Sequence, residues 1–264
     1  MATRLAGGFL ALALFTGPVL GGPLEDGIAA YTHDNPVAAL AILRPLAEQG
    51  VARAQFYLGQ AYDSAHGVPR DYEAAARWYR LAAEQGDPES CTILGSRYED
   101  GLGVAKSMAD AVKWYRVAAE RGFPEAEYNL GVLYDSGRGV KTDHDESARW
   151  FARSADHGFA QAQAIMGIRY QFGFGVPANL DEAVRWTRKA AEQDLPIGQF
   201  NLGAFYASGV GVPKDNVQAY LWFSLAADKG DDAAVIGRDT AAAGMTAAEI
   251  AEADKLVQDW KPTH

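Results

Sequence analysis

One spacing governs this chain: residues of the same kind return every 36 positions. Leu58, Leu94, Leu130, Met166 and Leu202 form one column, and each is followed by a glycine, Gly59, Gly95, Gly131, Gly167 and Gly203. Tyr62, Tyr98, Tyr134, Tyr170 and Tyr206 form another, and Val68, Val104, Val140, Val176 and Val212 a third. Trp78, Trp114, Trp150, Trp186 and Trp222 recur in the same step, as do Ala83, Ala119, Ala155, Ala191 and Ala227. Gly50, Gly86, Gly122, Gly158 and Gly230 continue the pattern, with Asp194 where the missing glycine belongs. A unit this small cannot bury its own apolar face, so successive copies must stack on one another.

Each copy reads as two helices. Ala54, Leu58 and Tyr62 are four apart and share a face. Pro88, Pro124 and Pro196 sit just inside a helix start, where the missing N–H costs nothing. The glycine after the leucine falls in mid-helix, at a cost of ~1 kcal/mol in propensity. Its recurrence predicts a neighbour too close for a Cβ. The turn reads Gly-x-Gly-Val (Gly101–Val104, Gly137–Val140, Gly173–Val176, Gly209–Val212), with Ala65 replacing the first glycine in the first copy. Glycine there permits positive φ. Asp71, Ser107, Asp143, Asn179 and Asp215 are predicted N-caps of the second helix. Asp110, Glu146, Glu182 and Gln218, three residues on, predict reciprocal capping in four copies.

The fold class is therefore all-α: a right-handed superhelical solenoid of helix-turn-helix repeats with a 36-residue period. Residues 23–49 read as an incomplete N-terminal repeat, keeping Ala39, Ile42, Ala47 and Gly50 of the pattern. Residues 50–229 hold five repeats, and 230–264 a helical cap opened by Thr246 and Glu249. Residues 1–22 carry Arg4, the apolar run Leu5–Leu20 broken by Gly17 and Pro18, and then Gly21 and Gly22. That is the layout of a secretory signal peptide, and of an exported, periplasmic or secreted chain. An uncleaved N-terminal tether is the alternative, although the run is short for a span of ~20 residues.

At these residues the chain resembles the Sel1-like repeat family, relatives of the tetratricopeptide repeats; EYNLGVLYDSGRGVKTDHDESARWFARSADHG carries the pattern almost throughout. Tetratricopeptide repeats share the Leu-Gly-x-x-Tyr step but have a 34-residue period and no Gly-x-Gly-Val turn. RDTAAAGMTAAEIAEADKLVQDW also looks like the tail that closes many bacterial members. The resemblance implies an adaptor for a protein partner. Exported relatives regulate envelope sensors or exopolysaccharide production. Cysteine-rich relatives have been linked to β-lactam turnover through paired cysteines, a pattern this chain departs from, since Cys91 stands alone.

Chemistry is sparse. The net charge of -10 disfavours nucleic acid. One cysteine makes neither an internal disulfide nor a Cys-based zinc site, and it reads as a small buried hydrophobe. His33, His66, His144, His157 and His264 have no metal-ligand spacing and read as solvated. No catalytic group, cofactor or metal site is expected, and the chain does not read as an enzyme.

A partner would then meet positions that the repeat leaves free. With Ala54, Leu58 and Tyr62 inward, the opposite side of the first helix carries Arg53, Phe56 and Gln60. Equivalents include Glu89, Thr92 and Ser96; Glu125, Tyr128 and Val132; Gln161, Ala164 and Ile168; and Ile197, Phe200 and Ala204. In related solenoids this is the concave side. Arg53, Phe56, Gln60, Glu89, Glu125, Tyr128, Gln161 and Phe200 are the candidate contacts, with the aromatics either anchoring a partner or packing between repeats. Arg97 and Arg169 share a column and are expected to pair with neighbouring acids. The alternatives to an adaptor are a module for cell-wall glycan or another polymer, and a weak β-lactamase-like hydrolase.

Overall fold

The computed structural model describes residues 21–263; all but the last two residues of the leader expected over 1–22, and His264, lie outside that range. The regular structure there is entirely helical. The order is α1 (Pro23–Thr32), α2 (Pro36–Glu48), α3 (Ala52–Ser64), α4 (Tyr72–Glu84), α5 (Pro88–Asp100), α6 (Met108–Ala119) and α7 (Pro124–Ser136). There follow α8 (His144–Asp156), α9 (Ala160–Phe172), α10 (Leu180–Glu192), α11 (Pro196–Ser208), α12 (Asn216–Ala227), α13 (Asp232–Ala242) and α14 (Ala247–Asp259). From α1 to α13 each helix packs on its neighbours in sequence, and α14 packs on α12. The repeats thus form a solenoid with a distributed core.

Each second helix starts where a short polar side chain can bond the free N–H groups of its first turn. Asp71, Ser107, Asp143, Asn179 and Asp215 accept from the N–H of Ala74, Asp110, Glu146, Glu182 and Gln218. The reciprocal half of the expected box is absent there. Glu146 turns to Arg149 at 2.5 Å and Glu182 to Arg185 at 2.6 Å, because a charge-assisted bond one helical turn away outcompetes a backbone N–H. Among the described residues, Thr246 and Glu249, at the head of α14, alone make the full reciprocal pair.

The mid-helix glycine is explained by an aromatic ring. A Cβ on Gly95 would lie 2.8 Å from the ring of Tyr115, and one on Gly131 2.8 Å from Phe151. Tyr79 and Phe223 fill the notches at Gly59 and Gly203 in the same way; in the fourth repeat Thr187 stands in the ring's place. The glycine and ring lock first helix to second. The turn's second glycine locks one repeat to the next, since a Cβ on Gly139 would strike the Met108 carbonyl of the preceding second helix at 2.6 Å. Ala65 adopts φ 62°, the left-handed conformation that glycine takes in the other four turns. Four of the five column tryptophans are buried, from Trp186 at 4% exposure to Trp114 and Trp150 at 9%; Trp78 is half-buried.

The N-terminal unit corrects the sequence reading. It is a full helix pair, α1 and α2, and its turn is four residues shorter than that between α3 and α4. Gly27 receives Leu43 as Gly59 receives Tyr79, with a Cβ at 2.8 Å. Gly27 precedes Gly59 by 32 residues while Leu43 precedes Tyr79 by 36, so a fixed period finds only the second helix. At the other end α13 and α14 cap the stack. The Trp260 ring meets Trp222 edge-on at 6.3 Å, and the chain runs back so that Thr263 N–H donates to the Glu192 carbonyl at 2.8 Å.

Candidate partner-binding face

Four positions of each first helix share its free side, because spacings of three and four residues return to one face. They read Arg53, Tyr57, Gln60, Ser64 on α3; Glu89, Ile93, Ser96, Asp100 on α5; Glu125, Asn129, Val132, Ser136 on α7; Gln161, Ile165, Ile168, Phe172 on α9; and Ile197, Asn201, Ala204, Ser208 on α11. Apolar character peaks on α9. There Phe172 replaces the serine found on three of the other four helices, and it is 59% exposed.

The eight expected contacts divide. Phe56 is buried at 3% and packs on Tyr57 and Tyr79 at ring separations of 5.2 and 6.1 Å. Tyr128 packs on Phe151 and Phe159, and Phe200 on Phe223 at 5.6 Å; both are half-buried. These aromatics therefore pack within the solenoid: position 56 of the unit points at the ring that fills the glycine notch. Arg53 lies over the Phe56 ring at 4.3 Å and pairs with Glu89 at 3.0 Å. Gln60 is half-buried, and Glu125 and Gln161 are exposed. Burial, and then the charge of Glu89, push the Glu125 carboxyl above the usual range.

A cavity of about 620 Å³ lies where α7, α8 and α9 meet. Val132, Phe151, Ile165 and Ile168 give it an apolar floor, and Phe174 forms one wall. Phe174 stands in the turn after α9, 59% exposed, stacked on Phe172 at 5.7 Å. Val132 and Ile168 belong to the face read from the sequence. Ile165, Phe172 and Phe174 were missed, although a phenylalanine in a serine column was a visible signal.

The polar edge of the cavity is one cluster. Asp135 Oδ1 takes Arg169 at 2.6 Å and the ring nitrogen of His144 at 3.0 Å. Arg169, only 6% exposed, also donates to the Phe174 carbonyl at 3.2 Å and so holds the turn. Burial opposes ionisation of Asp135, but the bonds from His144 and Arg169 outweigh it and hold its carboxyl below the usual range. Arg97 pairs with Asp63 in the same way, as the sequence led us to expect for both arginines.

A buried polar ladder runs on the inner side, unseen in the sequence reading. Gln55 bonds the Ala47 carbonyl of the previous repeat at 3.1 Å and receives Gln85 at 2.8 Å; Gln163 and Gln193 repeat this. In the third repeat it becomes fully buried Glu127, paired with His157 at 2.7 Å and Arg153 at 3.1 Å. His144 and His157 are thus tied to carboxylates rather than simply solvated. In the second repeat the rung is Cys91, whose thiol burial pushes up to about 11. It donates to the Ala83 carbonyl at 3.5 Å and behaves as a small hydrophobe. Among the described residues no serine, threonine or cysteine side chain bonds a histidine, and no helix is long and apolar enough to cross a membrane.

Comparison with known proteins fits this architecture. The Sel1 repeat model matches five consecutive times, over residues 52–87, 88–123, 124–159, 160–195 and 196–231. A Sel1 repeat protein from Oxalobacter formigenes is 36% identical, covering 79% of this chain and 86% of that one, with a TM-score of 0.72. A protective antigen of uropathogenic Escherichia coli with an SLR fold is 26% identical over 90% of this chain and 68% of its own, at a TM-score of 0.44. PA5086 of Pseudomonas aeruginosa, 18% identical over 78% of this chain and 83% of its own, shares the fold at a TM-score of 0.50. No curated protein matches the chain. With five consecutive matches and a solved relative of this identity, the chain belongs to the Sel1 repeat family.

Proposed function

We propose that this chain is an exported, non-catalytic adaptor that holds a partner protein in the groove between its third and fourth repeats. Sel1 repeats are generally protein-interaction modules. The observation that carries the reading is the exposed Phe172–Phe174 stack beside an apolar-floored cavity. Apolar floors with a few polar groups at the edge suit a side chain from a partner, and exposed aromatics supply the anchoring contacts. Export rests on the leader-like residues 1–22, and an envelope sensor or an exopolysaccharide-related protein is the kind of partner in view. A glycan ligand has less support, since phenylalanine offers a sugar no hydroxyl or N–H. A hydrolase has less still, since activation of a nucleophile needs a base bonded to it.

The test is cross-linking in the host envelope followed by identification of what is captured. The control is Phe172→Ser/Phe174→Ser, which gives position 172 the residue of Ser64, Ser136 and Ser208. One dominant protein, lost in the control, is expected. The same capture in control and wild type overturns the groove as the binding site, and recovery of the chain only in the cytoplasm overturns export.

A further inference from the structure

We infer that the groove takes a basic, apolar segment of the partner, in which lysine or arginine alternates with large apolar side chains. The inference rests on the adaptor reading of the same groove and adds the chemistry of its occupant.

Along α7 an acid stands near each end. Glu125 lies on the free face in the first turn and Asp135 at the cavity edge in the last, ten residues or ~15 Å of helix apart, with Val132 between them at the cavity floor. Glu125 is exposed and has no salt-bridge partner among the described residues. Asp135 has its bonds from Arg169, His144 and Ser147 all on Oδ1. That leaves Oδ2 free on a side chain 46% exposed at the cavity edge. On the neighbouring α5, exposed Asp100 ends the same face. Three arginines are already committed. Arg53 is held by Glu89 at 3.0 Å, Arg138 by Glu99 at 2.6 Å, and Arg169 is buried under Asp135.

Two of these carboxylates carry a cost to the fold. A carboxylate in the last turn of a helix opposes the helix dipole, which describes Asp100. Glu125 faces Glu89 across the repeat boundary, and its raised pKa means that ionising it weakens the folded state. Glu125 without a salt bridge and the open Asp135 Oδ2 at the cavity edge make a surface whose charge is left for a partner to complement. A cationic segment satisfies it: its Lys or Arg heads reach Glu125 and Asp135 Oδ2, and its apolar side chains enter between Ile165, Ile168 and Phe174. The net charge of -10 steers such a segment towards the chain.

Two fluorescein-labelled peptides of equal length test this, one alternating lysine with leucine and tryptophan, the other with glutamate in place of each lysine. Each is titrated against the exported chain purified from its host. The lysine peptide should bind, and at least tenfold more tightly than the glutamate peptide. Phe172→Ser/Phe174→Ser, which leaves every charge in place, should weaken it about tenfold, separating groove binding from general attraction to an acidic protein. Glu125→Gln should weaken it up to about fivefold, as for an exposed ion pair. Equal binding of both peptides, or no loss in the phenylalanine variant, overturns the inference. If neither peptide binds while envelope capture still depends on Phe172 and Phe174, the adaptor reading stands and the basic occupant is wrong. If the purified chain is a dimer that the phenylalanine variant dissociates, the occupant is a second copy and the inference falls.

Discussion

In the second repeat the free face of α5 carries Glu89, Ile93, Ser96 and Asp100; in the fourth, the same positions of α9 carry Gln161, Ile165, Ile168 and Phe172. Behind these faces the two repeats are built alike. Leu94 and Met166 are buried, as are Ala111 and Ala183, Trp114 and Trp186, Ala119 and Ala191. Ser107 and Asn179 cap in the same way. The difference teaches that packing constrains the columns that lock helix to helix, while the outward face is free to become acidic in one copy and apolar in the next. On the proposed function, a partner would read that variation along a constant scaffold.

The largest break should come from the shared columns. Trp186→Ala, at a site 4% exposed, should lose ~3–5 kcal/mol in urea unfolding; a loss under ~1 kcal/mol would show that the fourth repeat does not depend on its column. Next, Gly95→Ala should cost ~1–3 kcal/mol by overpacking against Tyr115, outweighing the ~1 kcal/mol gained in helix propensity. Gly167→Ala should cost a similar amount, because its Cβ would strike Thr187 Oγ1 and lie 3.3 Å from the Ala183 carbonyl oxygen; a loss under ~0.5 kcal/mol at Gly95 would reject the aromatic lock. In the other direction, Ala65→Gly should stabilise by about 1 kcal/mol, relieving a left-handed alanine, measurable as a raised Tm.

The pH arm is smaller. Asp135 has a folded pKa below its ordinary 3.8, so its contribution is fully present above that value and fades as pH falls through the folded pKa. Asp135→Asn should therefore flatten the acid limb of stability below about pH 4; an unchanged limb would deny the Arg169 and His144 bonds their role. The smallest effect on stability belongs to Phe172→Ser/Phe174→Ser, within ~0.5 kcal/mol as for exposed positions, although it should abolish capture. A large destabilisation would make those rings part of the core.

The sequence made the scaffold legible where one residue serves one role in every copy. The tryptophan column, the caps and the notch glycines are set by local sterics and recur in all five copies. It misled where a role moves between residues. A four-residue shortening put Gly27 out of step and hid α1. Arg149 and Arg185 drew off Glu146 and Glu182, so the capping boxes stayed half made. The position of Phe56 points outward on a helical wheel, but the wheel omits the facing ring of Tyr79, which turns that position into core. The buried ladder was missed because its two halves, such as Gln55 and Gln85, lie on different helices and show only as a paired change to Glu127 and His157. The cavity was half legible: its floor residues Val132 and Ile168 lie on the face read from the helix, whereas Phe174 belongs to a turn that periodicity treats as punctuation.

The tail that ties Thr263 to Glu192 and sets Trp260 against Trp222 also restricts how such a gene can lengthen. A unit appended after the tail would find the terminal surface already occupied. A 36-residue insertion between existing units leaves both end surfaces as they are. Growth by internal duplication is then the tolerated route. An insertion made after the fourth repeat would carry the groove between the third and fourth repeats along intact, changing its distance from the C-terminal cap and not its local chemistry.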